Sequence, residues 1–322
     1  LAGAATIMYN LSLTIYNSLL PTLASEKEMG KISGIGMATG FTGTLLSLLV
    51  AYFTLWYFAS GSLDIIAALK SMPSANPALE AQNGIMAVFP VIAIFFLGFS
   101  LPLFFIIRDE NKKRIDMSWN NFRKTASGVA SNIKGLFKIK GMPFYLAYFA
   151  LFSNALAAID IFFYLFAKKE IGMSLAGFIL LFMCQSFGAG FGAIAFGKAA
   201  DRHGAKKMLK LCTMMWILVI TVFIVSRNLT VFIIAGLLGS VAFGGSLANA
   251  RTLFVFLSPK DKMGEYFGYS QIVSRLAAIL GPLIGGWLIV SYGYNYALIM
   301  MIVFLLSCYV YLNKTPDLRA RA

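Results

Sequence analysis

The sequence has 322 residues, of which 59% are hydrophobic, 15% aromatic and only 12% charged, with a mean hydropathy of +0.78. Soluble domains are about 45–50% apolar and about 25% charged, so this composition excludes a soluble enzyme, a disordered chain and a disulfide scaffold. It leaves an all-α polytopic membrane protein, in which the net charge of +14 concerns loop placement rather than nucleic acid.

Apolar runs predict spans near 1–20, 34–58 and 85–107, then 143–167, 174–197, 208–226, 230–256, 267–290 and 294–312. Runs of this length are helices, because lipid offers no partner to an unpaired backbone group. Span one carries Asn10 and Asn17, seven apart and therefore on one face. Between spans three and four, the segment 108–142 places Trp119, Phe122, Val129, Ile133, Leu136 and Phe137 at spacings of three to four residues or their multiples. Basic residues lie among them. This pattern predicts an amphipathic helix on the inner membrane surface, a solvated basic tether being the alternative. Span four holds Asn154 and, about two turns inside its outer end, Asp160. An ionisable group in the bilayer costs roughly 2.5–3.5 kcal/mol on insertion scales, so Asp160 is a candidate for reversible proton binding, or a structural aspartate paired with a polar neighbour. Span five contributes Gln185, and span seven Asn249 and Arg251. Span eight contributes Gln271 and Arg275 one turn apart on one face. Arg275 is a candidate for binding a substrate carboxylate or balancing an acid. Arg251, near a span end, can equally snorkel to water.

Nine spans put 23 of the 27 basic residues on one side and leave only Lys70, Lys168, Lys169 and Arg227 on the other. The positive-inside rule then makes the basic side and the C-terminus cytoplasmic. The three cysteines, Cys184, Cys212 and Cys308, lie far apart within apolar runs and are read as packing residues.

Residues Leu23–Gly34 can be laid on Leu257–Gly268 at an offset of 234 without a gap, matching Leu, Met, Gly and Gly around a mixed-charge turn. One repeat then holds six spans. The expected organisation is 1–107 as the last three spans of an N-terminal half, 108–142 as a cytoplasmic basic linker, 143–313 as a C-terminal six-helix half and 314–322 as a cytoplasmic tail. About three further helices are expected to precede residue 1, making nine of twelve.

The loop after span five reads Gly197-Lys-Ala-Ala-Asp201-Arg202-His203-Gly204-Ala-Lys206-Lys207. It resembles the Gly-x3-Asp-Arg-x-Gly-x-Arg/Lys-Arg/Lys loop of the major facilitator superfamily. Gly197 lets two helices approach, Gly204 permits a tight turn, and Asp201 can face a helix N-terminus, expected to be that of span two around Ser33–Gly36. Two further segments are similar to the vacuole-effluxer-like branch. The first is Tyr16-Asn17-Ser-Leu-Leu20-Pro21 with Gly30 and Ser33-Gly34-Ile-Gly36-x3-Gly40; the second is Gly244-Gly245 through Arg251 to Pro259. Phe267-Gly268 and Gly281-Pro282 continue the likeness, while Phe41 and Thr44 stand where the branch has Tyr and Gly. Fungal members of that branch export amino acids from the vacuole.

The resemblance implies a secondary active transporter of a small polar solute, amino acids among the candidates, rocking two halves about a central site. It implies no enzyme activity and no cofactor or metal. The expected partners are a small-molecule substrate, protons and the lipid bilayer, with no nucleic acid, for a monomer in a prokaryotic inner membrane. The substrate or coupling-ion candidates are Asp160, Arg275, Gln271, Asn10, Asn17, Asn154, Gln185, Asn249 and Arg251; the conformational latch is Gly197, Asp201, Arg202, Gly204, Lys206 and Lys207. The rival readings are a non-transporting receptor or scaffold using the basic 108–142 loop, and a truncated inactive remnant.

Overall fold

The computed structural model describes residues 2–59, 77–106, 118, 123, 128, 133–259 and 262–316, and no strand occurs among them. Three long helices come first: α1 (Ala2–Ser18), α2 (Met29–Ala59) and α3 (Pro77–Ile106). After the segment that contains the linker follow α4 (Met142–Glu170), α5 (Leu175–His203), α6 (Ala205–Val225), α7 (Leu229–Leu257), α8 (Met263–Ala277), α9 (Leu280–Tyr292) and α10 (Tyr294–Lys314). Seven helical segments of the described residues are long and apolar enough to cross a membrane.

Each expected span has a helix, but span eight is broken rather than continuous. α8 is capped at Ala278 and α9 starts at Leu280. Pro282 supplies no N–H and so interrupts the helical ladder. The neighbouring α4 repairs the break. Asn154, 4% exposed, accepts a hydrogen bond from Gly281 N at 2.6 Å through Oδ1 and donates Nδ2 to Ala150 O at 3.0 Å. Ser153 and Ser274 hydroxyls meet at 2.6 Å one turn away. Asn154 is thus engaged in backbone repair and stands outside the lining of the cavity described below.

The repeat is visible in where helices stop and start. The short helix Leu20–Leu23 ends, and α2 begins at Met29; α7 ends at Leu257 and α8 begins at Met263. The two pairs of boundaries differ by the same offset of 234 found in the sequence.

α5 lies between α2 and α7, α10 packs on α4 and α6, and α1 leans on α8. Small residues make the central contacts possible. A Cβ at Gly192 would overlap the backbone of Val241, and one at Gly244 would overlap that of Ala189. Gly190, two residues before Gly192, faces Ala38 and Phe41 of α2 instead.

Polar side chains tie loops together at both ends of the later helices. At one end Arg227 donates Nε to Glu170 Oε2 at 3.1 Å and Nη2 to Asn295 Oδ1, with its guanidinium 4.9 Å from the centre of the Phe166 ring. At the other, Lys206 Nζ caps the C-terminus of α10 by donating to Asn313 O at 3.1 Å and Thr315 O at 2.5 Å. Most of the expected linker helix lies outside the described residues. Residues 133–136 form a helical turn with Leu136 completely buried and Phe137 half exposed.

Replacing Asn154 by Leu strands the Gly281 N–H in an apolar site. The expected loss is about 1–3 kcal/mol of stability, the cost of an unsatisfied buried donor, read as a lower unfolding midpoint in detergent. A midpoint equal to wild type would show that the break needs no partner from α4.

Candidate functional site

The end of the bundle that carries the Gly197–Lys207 loop holds most of the polar contacts between α1–α2 and the later helices. Asp201 ends its helix facing the first turn of α2, where backbone N–H groups have no partner within the helix. Its Oδ1 accepts from Gly30 N at 2.6 Å and its Oδ2 from Lys31 N at 2.8 Å. The carboxylate therefore meets α2 one turn before the expected Ser33–Gly36. α2 starts earlier than its apolar run, and the unpaired N–H groups move with the start. Negative charge at this position also favours the helix dipole.

Two glycines let the carboxylate come so close. A Cβ at Gly30 would overlap Gly197 O and lie 2.7 Å from Asp201 Oδ1, and a Cβ at Gly197 would overlap Gly30 O in return. Gly34 makes the next contact down the same crossing, against Ala193 O. The other loop residues divide. Gly204 takes φ +90 at the turn, Lys206 caps α10 as described, and Arg202 and Lys207 are exposed.

One helix turn deeper stands Arg251, 7% exposed. It does not snorkel. Its Nε donates to Ser33 Oγ and its Nη2 to Ser33 O, both at 3.0 Å, while Nη1 donates to Asn17 Oδ1 at 3.2 Å. The guanidinium sits 5.1 Å from the centre of the Tyr16 ring, a cation–π geometry. Ser33 Oγ in turn donates to Ala248 O at 2.8 Å. Arg251 of α7 is thereby bonded to both α1 and α2. Tyr16, Asn17, Ser33, Gly36 and Arg251 are the very residues that carried the narrower resemblance, and here they form one cluster. Nothing in their spacing along the chain foretells that they touch. Asn17 and Arg251 are also 234 apart, the same offset as the repeated turn.

Farther along the bundle, Arg275 Nη2 donates to Asn10 Oδ1 at 2.7 Å, a second hydrogen bond between α1 and the later helices. Arg275 also acts electrostatically on Asp160. Asp160 and Gln185 line a cavity of about 300 Å³, which sequence reasoning did not locate. Gln271 is half-buried on α8 and stands outside that lining. Asn249 is fully buried, donates to Gly245 O within its own helix at 2.8 Å, and likewise stands outside it.

The profile of the Major Facilitator Superfamily matches residues 147–321. An uncharacterized MFS-type transporter, YxiO, of Bacillus subtilis is 24% identical over 272 residues, which is 84% of this chain and 59% of that protein. Autophagy-related protein 22 of Kluyveromyces lactis is 25% identical over 275 residues, 77% of this chain and 54% of that protein. The chain thus spans little more than half the length of these two relatives. Among solved structures, the transporter FucP in its outward conformation superposes with a TM-score of 0.66 at 12% identity, covering 95% of this chain and 72% of FucP.

Proposed function

The chain belongs to the Major Facilitator Superfamily, and on that premise we propose that it is part of a secondary transporter working by alternating access, with a gate at its basic end. The observation that carries this reading is the set of polar bonds, from Asp201 to α2 and from Arg251 to α1 and α2, gathered at one end of two helix groups. The positive-inside rule makes that end cytoplasmic. The state described is then closed on the cytoplasmic side, and opening it requires both clusters to part. The substrate is a small organic molecule, and amino acids are the candidates suggested by the vacuole-effluxer-like segments.

Asp201→Asn turns one acceptor toward α2 into an N–H₂ that opposes a backbone donor. Arg251→Met removes three donors. A hydrogen bond to a charged group is worth about 1.5–3 kcal/mol, so either change is expected to raise the ratio of inward-open to closed molecules about tenfold or more. The measurement is maleimide labelling of a cysteine placed at Ala248, fully buried in the closed state, in a chain freed of its native cysteines. Unchanged labelling in both variants would refute the gate.

Asp160 is the residue assigned to coupling. Asp160→Asn in proteoliposomes is expected to abolish uptake driven by a pH gradient while preserving substrate exchange. Full gradient-driven uptake by the variant would move coupling elsewhere.

A further inference from the structure

The cavity that holds Asp160 is built almost wholly from α4–α10; only Phe41 and Thr44 of α2 join its lining. Nine of its lining residues are aromatic, Asp160 is its sole acid, and no Lys, Arg or His lines it among the described residues. The nearby cation that acts on Asp160, Arg275, is outside the lining and gives its Nη2 to Asn10. Gln185 is half-buried and lines the same cavity, where its amide can both donate and accept a hydrogen bond. Ligand pockets characteristically combine apolar walls with a few polar groups of this kind.

From this lining we infer that the cavity binds a hydrophobic organic amine in its cationic form, with an aromatic or aliphatic body and one neutral polar group. The ammonium group pairs with Asp160, the body lies among the Phe163, Phe223 and Phe243 rings, and the neutral polar group meets the Gln185 amide. Aromatic faces favour a cation as well as apolar surface. A free amino acid fits poorly, since its carboxylate would enter an aromatic cavity beside a carboxylate and find no Lys, Arg or His in the lining among the described residues. The inference rests on the transport reading for its purpose, but the site exists independently of it.

The test uses the purified full chain and two probes, phenylalaninamide and phenylalanine, at a mildly acid pH where both amines are protonated. They share a ring and an ammonium group and differ in whether the third group is a neutral amide or a carboxylate. Phenylalaninamide is expected to raise the unfolding midpoint and change tryptophan fluorescence, with phenylalanine inert at the same concentration. Asp160→Asn is expected to weaken amide binding at least tenfold, and Gln185→Leu several-fold, with the ligand-free midpoints reporting whether each variant folds. Should Asp160→Asn fail to fold, Gln185→Leu carries the test alone. Phenylalanine binding as well as the amide, no binding of the amide, or unchanged amide affinity in the folded variants would each overturn the inference. Counterflow in proteoliposomes separates the two claims. An amide that binds without being exchanged sinks the transport reading and leaves the site, whereas exchange of phenylalanine alone sinks the site's assigned chemistry and leaves transport.

Discussion

The close crossing of α2 over α5 is the constraint on which the other contacts depend. Only where Gly30 and Gly197 bring two backbones together can a side chain as short as that of Asp201 reach two N–H groups of the opposite helix. The same approach sets the depth at which α2 enters the bundle. That depth brings Ser33 level with Arg251 and Ala248, and puts Gly36 beneath Tyr16. A single Cβ at the crossing would move α2 outward and lengthen every one of these bonds. The crossing is also local. It occupies the first turns of α2, and nothing in it prevents the far ends of the helices from separating.

The offset of 234 recurs at this end of the molecule. It separates the two mixed-charge turns, the helix boundaries that flank them, and the bonded pair Asn17 and Arg251. One residue of that pair supplies a carbonyl oxygen and the other a guanidinium. A donor–acceptor pair of this kind holds α1 to α7 by a polar bond without a matched set of charges.

Much of this architecture was legible in the sequence because lipid enforces simple rules. Apolar runs had to be helices, the basic loops had to share a side, and a mixed-charge turn repeated at a fixed offset had to mark equivalent loops. The latch loop was also legible, since its glycines and acid have a physical reason for their spacing. What failed to show was depth and direction. Asp201 was expected on α2 one turn too far in, because a helix start held by another helix's carboxylate need not coincide with the start of an apolar run. Asn154 looked like a cavity residue, but a polar side chain in a span also serves a broken backbone, and only the position of Gly281 relative to α4 reveals which. The aromatic cavity was invisible for a similar reason. Its rings come from several helices, and in sequence they read as ordinary lipid-facing or packing surface.

Arg251 shows how a buried charge can hold a gate without jamming it. Removing a guanidinium from water is expensive, and a carboxylate partner in a dry interface leaves the partner unpaired when the pair is parted. In this cluster the acceptors are a hydroxyl, a backbone carbonyl and an amide oxygen, supported by one aromatic face. None of them bears a full charge. When the halves part, Arg251 returns to water, Ser33 and Asn17 become ordinary neutral groups, and no second ion is stranded. Asp201, an acid at this end, is held differently, by the N–H groups of a helix start that water can also satisfy. In the proposed gate, both clusters would therefore stabilise the closed state while keeping the open state accessible, as alternating access demands of contacts made and broken in every cycle.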